Sequence, residues 1–271
     1  MSVMLEAARQ ARLVPGLQAK GATIVAGGTL AVAELNYGQI ASGTLIILDR
    51  LGLDRITVAG KKVTLGAMVT MAQIARDRRL KFLHPVSNSI GGPAVRAMAT
   101  IGGNLFAPAP YGDMAAALLA LDAEVTVHDG KAAKKYPIEA FLKQRKKLQR
   151  SLIVEVAFAL PAPGSFRYAK IIRRKPVSAS VVTIAALLPR KAGKVTGARI
   201  AFGAMASHAI RSRKAEAALE GRSLDSAAIA AAAALVGEEA SPADDAYATA
   251  WYRRQIAPIH FKRLLADGES S

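Results

Sequence analysis

In 271 residues, 37 Lys and Arg stand against 20 Asp and Glu, a net charge of +17, and 52% of the chain is hydrophobic. That apolar share excludes a disordered chain, and the length predicts one large or two ordinary domains around a sizeable core. The sequence holds no cysteine, which excludes disulfides, zinc–thiolate sites, cysteine nucleophiles and any cysteine-held iron–sulfur cluster within it. No run approaches the roughly 18 apolar residues that span a bilayer. The opening MSVMLEAARQ lacks the basic-then-apolar order of a secretory signal. A cytoplasmic protein without a membrane span is expected.

Along the chain, residues 5–20 read as short helical material broken at Pro15-Gly16. A compact strand, Ala22–Ala26, runs into Gly27-Gly28-Thr29, and Leu30–Leu35 suits a helix. A second strand, Thr44–Leu48, ends at Asp49. Over 56–67 apolar residues alternate around Gly60-Lys61-Lys62, which predicts a hairpin, and Thr70 caps a helix over 71–80. The stretch 84–104 is rich in small residues. Asp113 then precedes Met114–Leu121, an apolar run too short to classify by period. Glu124–His128 alternates as a strand, Ser151–Ala159 forms another, and the Pro/Gly cluster 160–164 marks a domain boundary. Beyond it, Phe166–Ile172, Ala179–Leu188 and Val195–Phe202 read as strands. The segments 211–220, 224–238 and 247–266 read as helices, the second capped by Ser223 or Ser226. Strands followed by helices indicate an α+β domain with helices on one face of an antiparallel sheet.

The positive charge clusters at Lys131–Lys135, at Lys143–Arg150 (KQRKKLQR) and at Arg173–Lys175. No zinc-finger spacing and no aromatic-rich basic strand accompanies it. These clusters read as a solvated basic face or a docking surface for an acidic partner, and nucleic acid is not expected as a partner. The four histidines, His84, His128, His208 and His260, are scattered without metal spacing.

Two glycine pairs carry the chemistry. In Ile24-Val25-Ala26-Gly27-Gly28-Thr29 a strand feeds a turn at a helix start. A phosphate needs backbone N–H groups approached without a Cβ in the way. Thr29 adds a hydroxyl for a phosphate oxygen, or else caps the helix of a purely structural turn. The second pair stands in Thr100-Ile101-Gly102-Gly103-Asn104, followed by Asp113. That carboxylate either accepts from a sugar or ribitol hydroxyl or caps the helix from Met114. Two such loops in one domain fit a long, phosphate-bearing cofactor.

The order AGGT (26–29), LGAMVTMAQI (65–74), ATIGGN (99–104) and PYGDMAAALLALDAEVTV (110–127) resembles the FAD-binding medium subunits of the molybdenum hydroxylase family. These are the flavoprotein subunits of carbon monoxide dehydrogenases and the flavin domain of xanthine dehydrogenases. The resemblance continues through 166–188, 197–221 and the Tyr-Arg-Arg-containing stretch 251–265. It implies an α+β protein with a two-part FAD-binding domain of the vanillyl-alcohol-oxidase type over 1–162, divided near 55. An α+β C-terminal flavoprotein domain over 165–271 would follow, with an antiparallel sheet and helices.

It further implies FAD contacts at Ile24, Val25, Ala26, Gly27, Gly28, Thr29 and Leu30, and at Thr100, Ile101, Gly102, Gly103 and Asn104. Asp113 would bind a cofactor hydroxyl, Leu152 would line the cofactor, and Ile90 would pack on the adenine or in the core. Lys170 would stand near the flavin, where a cation stabilises the charge of a reduced ring. The segment after the first loop, AVAELNYG, departs from the family pattern, with Leu30 in place of a polar residue.

The implied function is that of an oxidoreductase subunit. Electrons would pass from iron–sulfur clusters on a small subunit, which receive them from a molybdopterin large subunit, to non-covalent FAD and an external acceptor. A dimer of heterotrimers is the implied assembly. The alternative is a flavin-free scaffold that only holds the partner subunits together.

Overall fold

The computed structural model describes residues 4–7, 22–39 and 43–267. The chain opens with a three-stranded parallel sheet of β1 (Met4–Ala7), β2 (Thr23–Val25) and β3 (Thr44–Ile47), in the order β1-β3-β2, with α1 (Ala31–Asn36) after β2. The helical reading of residues 5–20 is therefore corrected at 5–7, and its remainder lies outside the described residues. MLEA has no period of its own, and parallel pairing with β3 from Met4↔Thr44 to Ala7↔Ile47 decides its conformation.

The second sheet is antiparallel. It begins with the expected hairpin of β4 (Ile56–Ala59) and β5 (Lys62–Gly66). Then come α2 (Met71–Arg76), a 3-10 turn at Arg78–Leu83, α3 (His84–Asn88), α4 (Pro93–Met98), α5 (Ile101–Phe106) and α6 (Asp113–Ala120). The sheet is completed by β6 (Glu124–His128), β7 (Ala133–Pro137), α7 (Ile138–Gln144) and β8 (Leu152–Ala159), in the order β4-β5-β8-β6-β7.

The N-terminus of α2 is a reciprocal capping box. Gln73 N donates to Thr70 Oγ1 at 3.2 Å, and Thr70 N donates to Gln73 Oε1 at 2.7 Å. The helix stops short of the expected residue 80 because Asp77 leaves helical geometry (ψ 112°). Its carboxylate accepts from Arg79 N at 2.9 Å and so caps the next turn. Thr70→Ala will lower the unfolding free energy by about 1 kcal/mol, read as a shift in the urea midpoint.

The third sheet contains β9 (Phe166–Ile172), β10 (Ser180–Leu187), β13 (Arg199–Gly203) and β14 (Ile210–Arg211), ordered β14-β13-β10-β9 and antiparallel. The small hairpin β11 (Arg190–Lys191) and β12 (Lys194–Val195) claims the start of what reads as one strand over 195–202. Helices α8 (Arg213–Leu219), α9 (Ser226–Ala234) and α10 (Ala250–Asp267) follow. Neither Ser223 nor Ser226 caps α9. Asp225 does, accepting from Ala228 N at 2.8 Å.

The three C-terminal helices pack on one face of this sheet, around Val182, Ile184, Ala186, Phe202 and Phe261. The other face, through Ala185 and Ala201, joins the core of the second sheet and α6. All eight residues of α6 are buried, so the helix has no polar face to reveal its period. Every residue of β10 is likewise buried.

Candidate cofactor-binding site

A cleft of about 860 Å³ opens where the two glycine loops, the start of β8 and the β9–β10 connection meet. It falls within the roughly 300–1,000 Å³ of ligand pockets. Ile24, Ala26, Gly27, Gly28, Thr29 and Leu30 line it, as do Thr100, Gly102, Gly103, Asn104, Asp113, Leu152 and Lys170. Val25 and Ile101 stand behind the wall, 6% and 0% exposed. Ile90 also faces the cleft while 92% of its surface is covered (8% exposed).

The first loop is pressed against the strand-like exit of α4. A Cβ on Gly27 would sit 1.7 Å from the carbonyl oxygen of Met98. Gly28 takes φ +70°, a conformation open to glycine. No hydrogen bond among the described residues engages the N–H groups of Gly27, Gly28, Thr29 and Leu30. Leu30 occupies the cap position of α1 and no side chain caps that helix, so the reading of Thr29 as a helix cap is corrected. Four backbone donors on a glycine-narrowed turn suit an anionic ligand.

The second loop works differently. Thr100 Oγ1 caps α5 by accepting from Gly103 N at 3.2 Å. Ile101 N donates to Val69 O, Gly102 N to Ala67 O and Asn104 N to Thr100 O, each at 2.9 Å. The amides of Ile101, Gly102, Gly103 and Asn104 are thus engaged within the protein. What the loop offers the cleft is close approach: a Cβ on Gly103 would lie 3.2 Å from Thr100 Oγ1 and 3.8 Å from Ala26 Cβ on the facing loop. Asn104 Oδ1 accepts from Met114 N at 3.1 Å and secures the first turn of α6.

Asp113 does not cap α6. Gly112, at φ +83°, holds the cap position, and the Asp113 carboxylate turns to the third sheet. Its Oδ2 accepts from Lys170 Nζ at 2.7 Å, and its Oδ1 from Thr183 Oγ1 at 2.6 Å and from the Ser180 hydroxyl. A bulge explains how two residues three apart reach one oxygen. Ser180 pairs with Ile172 but Val182 pairs with Ile171, so Val181 is the extra residue. The bulge turns Ser180 to the side of Thr183, and Thr183 lies opposite Lys170 across the ladder.

Lys170 and Asp113 are 8% and 6% exposed, a buried ion pair. Lys170 Nζ also donates to Ser89 O at 2.9 Å, which leaves one of its three donors for the cleft. Tyr168, bonded to Ser89 Oγ at 2.9 Å, backs the pair. Burial, with the nearby Asp113 charge, pushes its hydroxyl well above the usual tyrosine range. At the rim, Tyr111 and Tyr247 share a 2.9 Å hydrogen bond across the two halves of the chain, which pushes Tyr111 up to about 12.

Leu152 is buried with Ile46 and Leu48, so the apolar wall joins the first sheet to β8. The sequence reading misses Lys146, Gln149 and Arg150, which line the cleft. Arg145 is no free surface cation. Its Nη1 donates to Ala107 O at 2.8 Å and its Nη2 to Ser207 O at 2.9 Å. The only signal for this turn in the sequence is its charge, and charge does not say what it faces.

The donors, the glycine clearance and the volume of the cleft fit FAD. Comparisons with known proteins agree. A family model described as the FAD binding domain in molybdopterin dehydrogenase matches residues 3–163, and one described as the CO dehydrogenase flavoprotein C-terminal domain matches 167–267. The chain is 30% identical to the 6-hydroxypseudooxynicotine dehydrogenase complex subunit alpha of Paenarthrobacter nicotinovorans, over 90% of this chain and 86% of that one. It is also 30% identical to the carbon monoxide dehydrogenase medium chain of Afipia carboxidovorans, over 89% and 86%. In fold it superposes on carbon monoxide dehydrogenase from Hydrogenophaga pseudoflava with a TM-score of 0.89 at 24% identity, covering 100% of this chain and 98% of the other.

Proposed function

The chain belongs to the FAD-binding flavoprotein subunits of the molybdenum hydroxylases, and from that membership we propose that it relays electrons from partner iron–sulfur clusters to an external acceptor. The observation that carries the cofactor reading in this chain is the row of N–H groups on Gly27–Leu30, residues that line the cleft, with no hydrogen bond among the described residues. Bound FAD would supply the exchange between one-electron and two-electron transfer.

The protein's own part is binding and electrostatics. The first loop donates to the pyrophosphate, and the glycines of the second admit it closely. Lys170, held by Asp113 and Ser89, presents a fixed ammonium to the flavin region, and Leu152 and Ile90 cover apolar ring surface. No acid–base residue of this chain is needed, because substrate oxidation belongs to the partner.

The domain division in this reading is 1–162, parted near 55, and 165–271; the helix-backed face of the third sheet has a core of its own, while its other face shares the core of the second sheet. The partners in this reading are an iron–sulfur small subunit and a molybdopterin large subunit, in a cytoplasmic dimer of heterotrimers.

Two measurements test it. Purified protein, once denatured, should release a yellow chromophore that runs as FAD. Colourless protein that cannot be reconstituted with FAD would overturn the cofactor assignment and favour the scaffold alternative. Co-expressed with small and large subunits, the chain should co-elute on size exclusion, and its flavin should bleach when substrate is added. A chain that stays at its monomer volume with oxidised flavin would overturn the relay.

A further inference from the structure

The basic turn KQRKKLQR is strung between the supports of both glycine loops. At one end Arg145 is bonded to Ala107 O, directly after α5, which carries the second loop. At the other end the turn enters β8 at Leu152, which packs on Ile46 and Leu48 of the first loop's sheet. Between them the turn is internally bonded: Lys147 N donates to Gln144 O at 2.8 Å, Leu148 N to Arg145 O at 3.1 Å and Ser151 N to Leu148 O at 2.9 Å.

These helical turns sort the side chains by face. Lys146, Gln149 and Arg150, spaced i, i+3, i+4, line the cleft, whereas Lys147 does not. Lys146 and Arg150 make no ion pair among the described residues.

The charge of the lining follows. Four cations, Arg145, Lys146, Arg150 and Lys170, face two carboxylates, Glu34 and Asp113. Lys170 is neutralised by Asp113 at 2.7 Å, so the three cations of the turn stand against Glu34 alone, an excess of two positive charges. A diphosphate linkage carries the complementary charge.

We propose that Lys146 and Arg150 form an anion-capturing wall of the cleft that draws in the diphosphate of FAD, with Arg145 as the anchor that fixes the wall's position. This rests on the FAD reading above. It replaces the view of this stretch as a solvated face or an acidic-partner surface. Exposed charges at a cleft mouth act chiefly on the rate of capture, and salt screens them.

The test is FAD uptake by the flavin-depleted protein, followed by quenching of flavin fluorescence in stopped flow at rising NaCl. The double variant Lys146→Gln/Arg150→Gln should capture FAD about tenfold more slowly at low salt, with a clearly flatter salt dependence. The control Lys147→Gln, a charge outside the cleft lining, should keep the wild-type rate within about twofold. Both carry changes at exposed positions outside the core. If the double variant matches the control in rate and salt slope, the wall has no such role. If it instead captures FAD normally but loses its partner subunits on size exclusion, the surface serves docking and the proposal is overturned. A wild-type chain that takes up no FAD at any salt would overturn the cofactor reading itself, which separates the two failures.

Discussion

Gly27→Ala will strip FAD from the protein while leaving its C-terminal half folded. The added Cβ would lie 1.7 Å from Met98 O and 2.5 Å from its carbonyl carbon, and both are backbone atoms. No rotamer change relieves such an overlap, so either the first loop or the α4 exit must move. Overpacking of this kind costs about 1–3 kcal/mol. If the loop relaxes away from Met98, the same strain must be met again whenever FAD closes it. That corresponds to a loss of affinity of about 5–150-fold.

Gly103→Ala is the informative contrast. Its Cβ would come tightly against the Thr100 hydroxyl alone, at 3.2 Å, with Ala26 Cβ at an ordinary contact distance of 3.8 Å, and FAD affinity should fall by no more than about fivefold, the lower edge of the Gly27→Ala range. Flavin content after purification and FAD titration of the depleted protein measure both. Equal retention in Gly27→Ala and wild type would mean that the two loops do not close on a common ligand.

Arg253→Ala will cause the largest loss of stability, about 3–5 kcal/mol. This side chain is 1% exposed. Its Nη2 is bidentate to Asp245 at 2.8 and 2.9 Å, its Nη1 donates to Ala243 O at 2.6 Å and to Ala248 O at 3.1 Å, and its Nε donates to Val181 O at 2.9 Å. Truncation removes the donor to Val181 O and Ala243 O, leaves Ala248 O only its 3.2 Å bond from Asp245 N, and opens a void beneath α10.

Val181 is the bulge residue that turns Ser180 toward Asp113, so the damage reaches the cleft. FAD affinity should fall along with the urea midpoint. Arg253→Lys will recover only part of the stability, because one ammonium cannot span the positions of a planar five-donor fork. A wild-type midpoint in Arg253→Ala would mean that this network contributes nothing net.

Much of this architecture follows from local chemistry. The alternation at 56–66 needs only its own turn to become a hairpin, and Thr70 finds its capping partner three residues away. The glycine pairs at 27–28 and 102–103 are placed by the structure on one cleft, and the order of motifs around them carries the family.

The rest depends on partners that sequence neighbours do not announce. Met4–Ala7 is a strand because β3 lies beside it, forty residues on in the ladder (Met4↔Thr44). The apolar run after Asp113 is helix α6, buried all round between two sheets, where no polar face reports its period. Asp113 meets Lys170 across 57 residues and Thr183 across 70. One inserted residue in β10, held by Arg253 from the last helix, brings Ser180 to the same carboxylate. The basic turn at 145–150 has the composition of a solvated surface and becomes a cleft wall only through the anchoring of Arg145 to Ala107 and Ser207. Periodicity and capping act within a few residues, so they are written in the sequence one element at a time. Register, burial on a second face and the convergence of charges come from packing elements distant in the chain, and only the folded backbone sets those distances.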